Sequence, residues 1–424
     1  MNMYLKERKL LFAILVIAVV RLTLFAFANS SIDYVRWVHM GQRLFSGQQT
    51  FFGVYQGPVY IFSAEYALWL ALTHKPSLPL WTLDPQNLAF TLFMKIPFII
   101  LDFATVLLII HTVRKNTNSH KRALWAGILW VTSPLIFLCE NHSPAEILPA
   151  LLILLGAYAI HRSRANVGSL SLAVGSALRL APLLITWIYV AAFARLRQFK
   201  NLIGFLGVQL ALFVFGILYI RLSFGASAFQ NLLGSYPGVF IPEVLRSYSA
   251  AAEPRAGYNP VQLSLGVVTF LLIGYFVTRA NVWNRRVPGA EALAVFAAYF
   301  ALVFQDAFIL WMIPLLFVYA FTTKHGPVRL LLITILGFLY IAVSDTNLYT
   351  AHGAAVFLVP NMNQAMSTLS STLLLMGGST SPLTWFFRSL FSASLVPIIF
   401  WIMRDESINS HSSEKGFPVS PRAS

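Results

Sequence analysis

The chain is short of charge and nearly without cysteine. Only 11% of its 424 residues are Asp, Glu, Lys or Arg, against roughly a quarter in an ordinary soluble domain. That shortage excludes a soluble enzyme of common composition. The one cysteine, Cys139, excludes a disulfide framework and any metal site built on thiolates. Its apolar neighbours favour a buried structural thiol. No Walker A, Gly-x-Gly-x-x-Gly or nucleophilic-serine motif occurs, so nucleotide-driven and hydrolase readings have no support. Acids are scarcer than bases, 15 against 30, which leaves a formal charge of +15. The bases are spread too thinly among apolar runs to track a phosphate backbone, so no nucleic-acid partner is expected. Disorder is excluded by the 14% aromatic and 58% hydrophobic content.

What the sequence has in abundance is apolar runs of spanning length. They recur at 10–28, 88–111, 123–138, 147–161, 201–223, 261–278, 290–304, 307–322, 328–344 and 382–403. The first follows a basic Lys-Glu-Arg-Lys at 6–9 and is too long for a signal-peptide core, so it reads as a retained span. The expected fold is all-α: a polytopic transmembrane helix bundle of about 10–12 spans, with both termini on the cytoplasmic side.

Orientation follows from where Lys and Arg fall. Arg114, Lys115, Lys121, Arg122, Arg279, Arg285, Arg286, Lys324 and Arg329 all face the cytoplasm only if the apolar half-span 58–72 does not cross. It is therefore read as interfacial or re-entrant, inside one large outer loop at 29–87. An amphipathic helix is predicted at 32–45, lying flat on the membrane. Residues 167–194, between the basic clusters Arg162/Arg164 and Arg195/Arg197/Lys200, read as a hairpin broken at Ala181-Pro182. Further outer segments are 224–260 and 345–381. The membrane domain is 1–403, and the Ser-rich 404–424 reads as a disordered cytoplasmic tail. On this layout the whole excess of +15 lies on the cytoplasmic side, so it is an orientation signal.

Few residues carry chemistry. Asp33 stands five positions past the first span. A carboxylate at a membrane surface beside a helix end can take the proton of a hydroxyl, although a solvated loop aspartate is the plainer alternative. Asp102 falls in mid-span and needs a partner. Arg179, intramembrane on this layout, is the expected one, in a structural ion pair. Lys95, two helical turns before Asp102 on the same face, is expected to snorkel to a lipid phosphate or headgroup. His142 and Glu146 share a helical spacing, but two ligands make no site, so no metal is predicted.

The order of the short motifs carries more than any one of them. Asp33-Tyr34 opens the outer loop and Gly47 ends its first helix; Tyr55-Gln-Gly-Pro58-Val-Tyr60 follows. The second span runs from Lys95 to Asp102, and Ser133-Pro134, Asn141 and Glu146 come next. Gly175-Ser-Ala-Leu-Arg179-Leu-Ala-Pro182 lies in the hairpin, and Gln305-Asp306-Ala-Phe308-Ile-Leu-Trp311-Met-Ile-Pro314 opens a late span. This order resembles the C-type (GT-C) membrane glycosyltransferases that use polyprenyl-phosphate sugars. The pattern is nearest to the catalytic subunit of GPI mannosyltransferase I and its prokaryotic-type relatives. The resemblance covers the first half and that late span. Ser133-Pro134 stands where the family has Asn-Pro, and Arg179 stands for Lys. The long His/Arg-rich outer segment of the GPI enzyme is absent.

The resemblance implies a mannosyltransferase-like enzyme. It would move a hexose from a polyprenyl (dolichyl) phosphate to a lipid-linked or glycan acceptor, with inversion, on the outer or lumenal face. Asp33 would be the catalytic base, with Tyr34, Arg36, Lys95, Glu146 and Asp306 at the substrates. A bound lipid phosphate needs cations at the outer interface, which Arg246 and Arg255 would supply. No cofactor is implied and a divalent metal has no support. Membrane lipids are the partners; a small membrane subunit and the choice of ER or cell membrane stay open. The alternative is a secondary transporter or lipid-linked-sugar flippase with Asp102 and Arg179 on its path.

Overall fold

The computed structural model describes residues 32–47, 56–75, 85–142, 144–178, 197–240, 310–323 and 326–343, with isolated positions elsewhere. Among the described residues there are helices and turns and no strand. In chain order the helices are α1 (Ile32–Phe45), α2 (Gln56–Thr73), α3 (Pro85–Thr117), α4 (His120–Thr132), α5 (Pro134–His142), α6 (Ile147–His161), α7 (Ala165–Leu178), α8 (Phe199–Phe240), α9 (Ile313–Thr322) and α10 (Gly326–Val343). A 3₁₀ turn, Pro144–Glu146, leads into α6.

Among the described residues three stretches are long and apolar enough to cross a membrane: Ala89–Thr117, Pro144–His161 and Phe199–Ser223. Their outward faces carry large apolar side chains. Ile100 and Leu107 on α3, and Ile203, Leu210, Phe213 and Leu222 on α8, are all more than half exposed. A soluble monomer rarely leaves so large an apolar surface uncovered. These stretches match the expected spans at 88–111, 147–161 and 201–223. The spans expected at 10–28, 261–278, 290–304 and 382–403, the segment 345–381 and the tail 404–424 lie outside the described residues, apart from isolated positions.

Three expectations change. The span 123–138 is two helices, α4 and α5, bent by 52°. Pro134 lacks an N–H and its ring crowds the preceding residue, which holds Ser133 extended at φ −68°, ψ 116°. Among the described residues the late span opens on a 3₁₀ turn at 310–311 and is α-helical from Ile313, with Pro314 in the first turn, where a missing N–H breaks no helical bond. The backbone of α8 stays helical to Phe240, past the expected start of an outer loop at 224. In the hairpin 167–194, α7 is the first arm. Beyond the break, positions 182, 185, 186, 189, 190, 193 and 194 are helical.

Small and polar residues join the helices, as they do where lipid provides no hydrophobic drive between helices. Ser171 Oγ donates to the Leu152 carbonyl at 2.7 Å, joining α7 to α6. Ser169 Oγ donates to the Phe205 carbonyl at 2.6 Å, and Gln209 Nε2 donates back to the Ser169 carbonyl at 2.9 Å. These two bonds fasten α8 to α7.

The helix predicted at 32–45 is present as α1, but its apolar face does not lie on lipid. Tyr34, Val35, Trp37 and Val38 are buried, with the Trp37 ring stacked on Phe62 of α2 at 6.3 Å. Gly41 permits this approach: a Cβ there would lie 2.8 Å from the backbone carbon of Phe62. Gly41→Ala is expected to cost about 1–3 kcal/mol by overpacking. Thermal unfolding in detergent would check this, and an unchanged midpoint would refute the tight packing. The half-span 58–72 lies within α2, which rests on α3 through Phe62–Phe98 and Trp69–Phe90 at 5.1 and 5.3 Å. Its Leu68 and Leu72 stay exposed.

Candidate functional site

The α1–α2 pair lies over the N-terminal half of α3, and a polar cluster is enclosed between them. Asp33 and Arg36 are in the first turns of α1, though their side chains fall outside the described residues. Tyr34, the next residue after Asp33, is fully buried. Its ring faces Lys95 of α3, with Nζ 4.9 Å from the ring centroid. Lys95 therefore does not snorkel to the surface as expected. The α1–α2 pair covers it completely, and a cation so placed is held by the negative face of the ring. The Glu140 carboxylate, from α5, is within electrostatic reach of the same ammonium. Glu140 is buried too. Residues 34, 95 and 140 thus meet although they come from three separate segments of the sequence.

Two of the buried acids escaped sequence reasoning. Glu140 sits beside Cys139 in an apolar run, and Glu65 is the one charged residue of α2. Glu65 is 7% exposed, and neither carboxyl oxygen has a hydrogen-bond partner among the described residues. The available signal was position: an acid inside an apolar run is costly to bury and so marks a site. Burial pushes the Glu65 carboxyl up to about 9, so it is neutral at pH 7. Burial also raises the Tyr34 phenol above its ordinary value, with Glu65 adding to the rise. Thr91 on α3 lies next to the Tyr34 hydroxyl, but the two do not meet in hydrogen-bond geometry.

A folded-state pKa raised above the unfolded 4.5 means the native state keeps a proton that the unfolded chain loses. Stability from this acid is complete below pH 4.5 and drains away as pH rises toward about 9. The unfolding midpoint is expected to fall across that window in the wild type and to fall less in Glu65→Gln. Parallel pH profiles for the two would show that Glu65 is not buried neutral.

Glu146 and Asp102 are each tied to an indole. Glu146, fully buried after the 3₁₀ turn, accepts from Trp311 Nε1 through Oε2 at 2.8 Å. Asp102 Oδ1 accepts from Trp130 Nε1 of α4 at 2.6 Å. Trp130 in turn meets Phe317 of α9, with centroids 5.2 Å apart. The late Trp311…Pro314 motif is thereby joined to the 3₁₀ turn before α6 and, through Phe317 and Trp130, to α3. The ion pair expected between Asp102 and Arg179 cannot be followed, because Arg179 lies outside the described residues. So do Arg246, Arg255 and Asp306. Among the described residues no group of three His, Cys, Asp or Glu is arranged to hold a metal ion.

No protein-family model matches the chain, and no curated protein matches it in sequence.

Proposed function

We propose that the chain is a multi-pass membrane glycosyltransferase of the polyprenyl-phosphate-sugar-dependent kind, with its active centre at the outer or lumenal end of the α1–α2–α3 unit. The observation that supports this reading best is the convergence of Tyr34, the residue that follows Asp33, with Lys95 and Glu140. The start of α1 is held against the second span by a buried cation under the Tyr34 ring. A general base on such an anchored turn sits on a rigid support, as positional catalysis requires.

In the proposed reaction the acceptor hydroxyl oxygen attacks the anomeric carbon, and the bond to the phosphate oxygen breaks with inversion. Asp33 takes the hydroxyl proton as attack begins. Polyprenyl phosphate leaves as a stable monoester anion, so no general acid is required. Arg246 and Arg255 are proposed at the departing phosphate, with Arg36 beside Asp33 and with Glu146 and Asp306 on the acceptor side. Asp102 holds helices together through Trp130 and takes no part in the chemistry. The test is transfer of labelled hexose from polyprenyl-phosphate donors to membrane lipid or glycan acceptors by membranes containing the protein. Transfer that depends on the protein is the expected result. Failure with every hexose donor and a broad lipid-extract acceptor pool would remove the proposal.

A further inference from the structure

Four polar groups between α1, α2 and α3 are buried without a hydrogen-bond partner among the described residues: the Tyr34 hydroxyl, both Glu65 oxygens, the Thr91 hydroxyl and the Trp69 indole N–H. Native proteins satisfy nearly all such groups, and each one left over calls for an explanation. They come from three helices, and Tyr34, Glu65 and Thr91 lie together. Tyr34 has Thr91 and Glu65 as its polar neighbours. Trp69 is one turn beyond Glu65 on α2, against the Phe90 and Phe93 rings of α3. Four isolated design faults in one place are a poor account of this.

We propose that Tyr34, Glu65, Thr91 and Trp69 form a subsite for the hydroxyl edge of a sugar, beneath the α1–α2 pair. The proposal rests on the glycosyltransferase reading and extends it to the binding of the hexose. Its chemistry is that of a neutral polyol ligand. The two hydroxyls donate and accept, the indole only donates, and a neutral carboxyl does both. No formal charge faces the ligand from these four, since burial keeps Glu65 protonated at pH 7. The surrounding Phe90, Phe93, Tyr66 and Phe62 rings supply the apolar faces that a pyranose ring packs on.

A subsite and an accident of packing respond oppositely to one substitution. Replacing an unpartnered buried carboxyl by an apolar group of similar size removes a desolvation cost. Glu65→Leu is therefore expected to unfold at a higher temperature than wild type. If the subsite is real, the same variant raises the KM for polyprenyl-phosphate hexose by about tenfold, the effect of losing a hydrogen bond or two. Glu65→Gln, which keeps a donor and an acceptor, recovers most of that loss. Thr91→Val, close to isosteric, raises KM in the same direction and covers the case in which Glu65→Leu folds poorly.

A stabilised Glu65→Leu with wild-type KM means the groups hold ordered water only, and overturns the subsite while leaving the glycosyltransferase reading in place. If the wild type transfers no sugar, the reading falls and binding decides the subsite. Stabilisation of the wild type by methyl hexosides, lost in Glu65→Leu, retains it. No stabilisation of the wild type rejects it.

Discussion

Asp33→Asn is expected to lower hexose transfer by about 10²–10⁴-fold, with KM for the donor little changed and protein level in the membrane equal to wild type. That range is what positioned general bases contribute. Asparagine preserves the shape of the side chain but cannot take a proton. The acceptor hydroxyl must then lose its proton to water after attack has begun. The position suits the role: residue 33 lies in the first turn of α1, where the helix dipole favours negative charge. Its neighbour Tyr34 is pinned by Lys95, which limits how far the turn can drift. A loss confined to kcat separates this role from a binding role, because an interaction made only in the transition state lowers kcat and kcat/KM equally. Full activity in Asp33→Asn would sink the assignment of the base, and the rest of the mechanism with it.

The second large effect concerns the fold. Lys95→Met is expected to destabilise the protein by ~3–5 kcal/mol, the cost of stranding one member of a buried charge pair. Lys95 has no solvent exposure and Glu140 has 2%, so water does not reach either charge to compensate. The same substitution removes the cation from the Tyr34 ring, which frees the turn that carries Asp33. Lys95→Met/Glu140→Leu, with both charges gone, is expected to regain most of the lost stability, as buried ion pairs exchanged for apolar side chains commonly do. Transfer activity is expected to stay low in the double variant, since the Tyr34 contact is not restored. The measurements are detergent unfolding midpoints and transfer rates on wild type, both single variants and the double. If the energies of the single variants simply add, Lys95 and Glu140 are uncoupled and the cluster is not a unit.

Much of the architecture was legible in advance because it depends on local pattern. The amphipathic spacing at 32–45 marks α1 to the residue, since helical periodicity is a property of neighbours in sequence. The apolar runs at 88–111, 147–161 and 201–223 mark α3, α6 and the first part of α8 for the same reason. The break between α4 and α5 was also written locally, in Ser133-Pro134, but hydropathy averages over a proline and reads one span across it. At the site, the sequence pointed to Tyr34, Lys95 and Glu146, but not to their surroundings. Lys95 read as a snorkelling cation because its cover, α1 and α2, lies more than 20 positions upstream. Trp130 carried no signal in the sequence and Trp311 only its place in the late motif, although a buried indole N–H needs an acceptor and each finds a carboxylate.

Composition and charge alone determined that this is a helical chain with spans of membrane length, and they assigned an orientation to it. Which polar groups meet was decided only in three dimensions. A helix crossing brings residues 34, 65, 91, 95 and 140 into one enclosed cluster. No spacing rule along the chain encodes that crossing, because it depends on how side chains of separate helices fit together. The same enclosure gives these groups their properties. In water, Glu65 would be an ordinary carboxylate; beneath α1 and against α3, it is a neutral acid with no hydrogen-bond partner among the described residues.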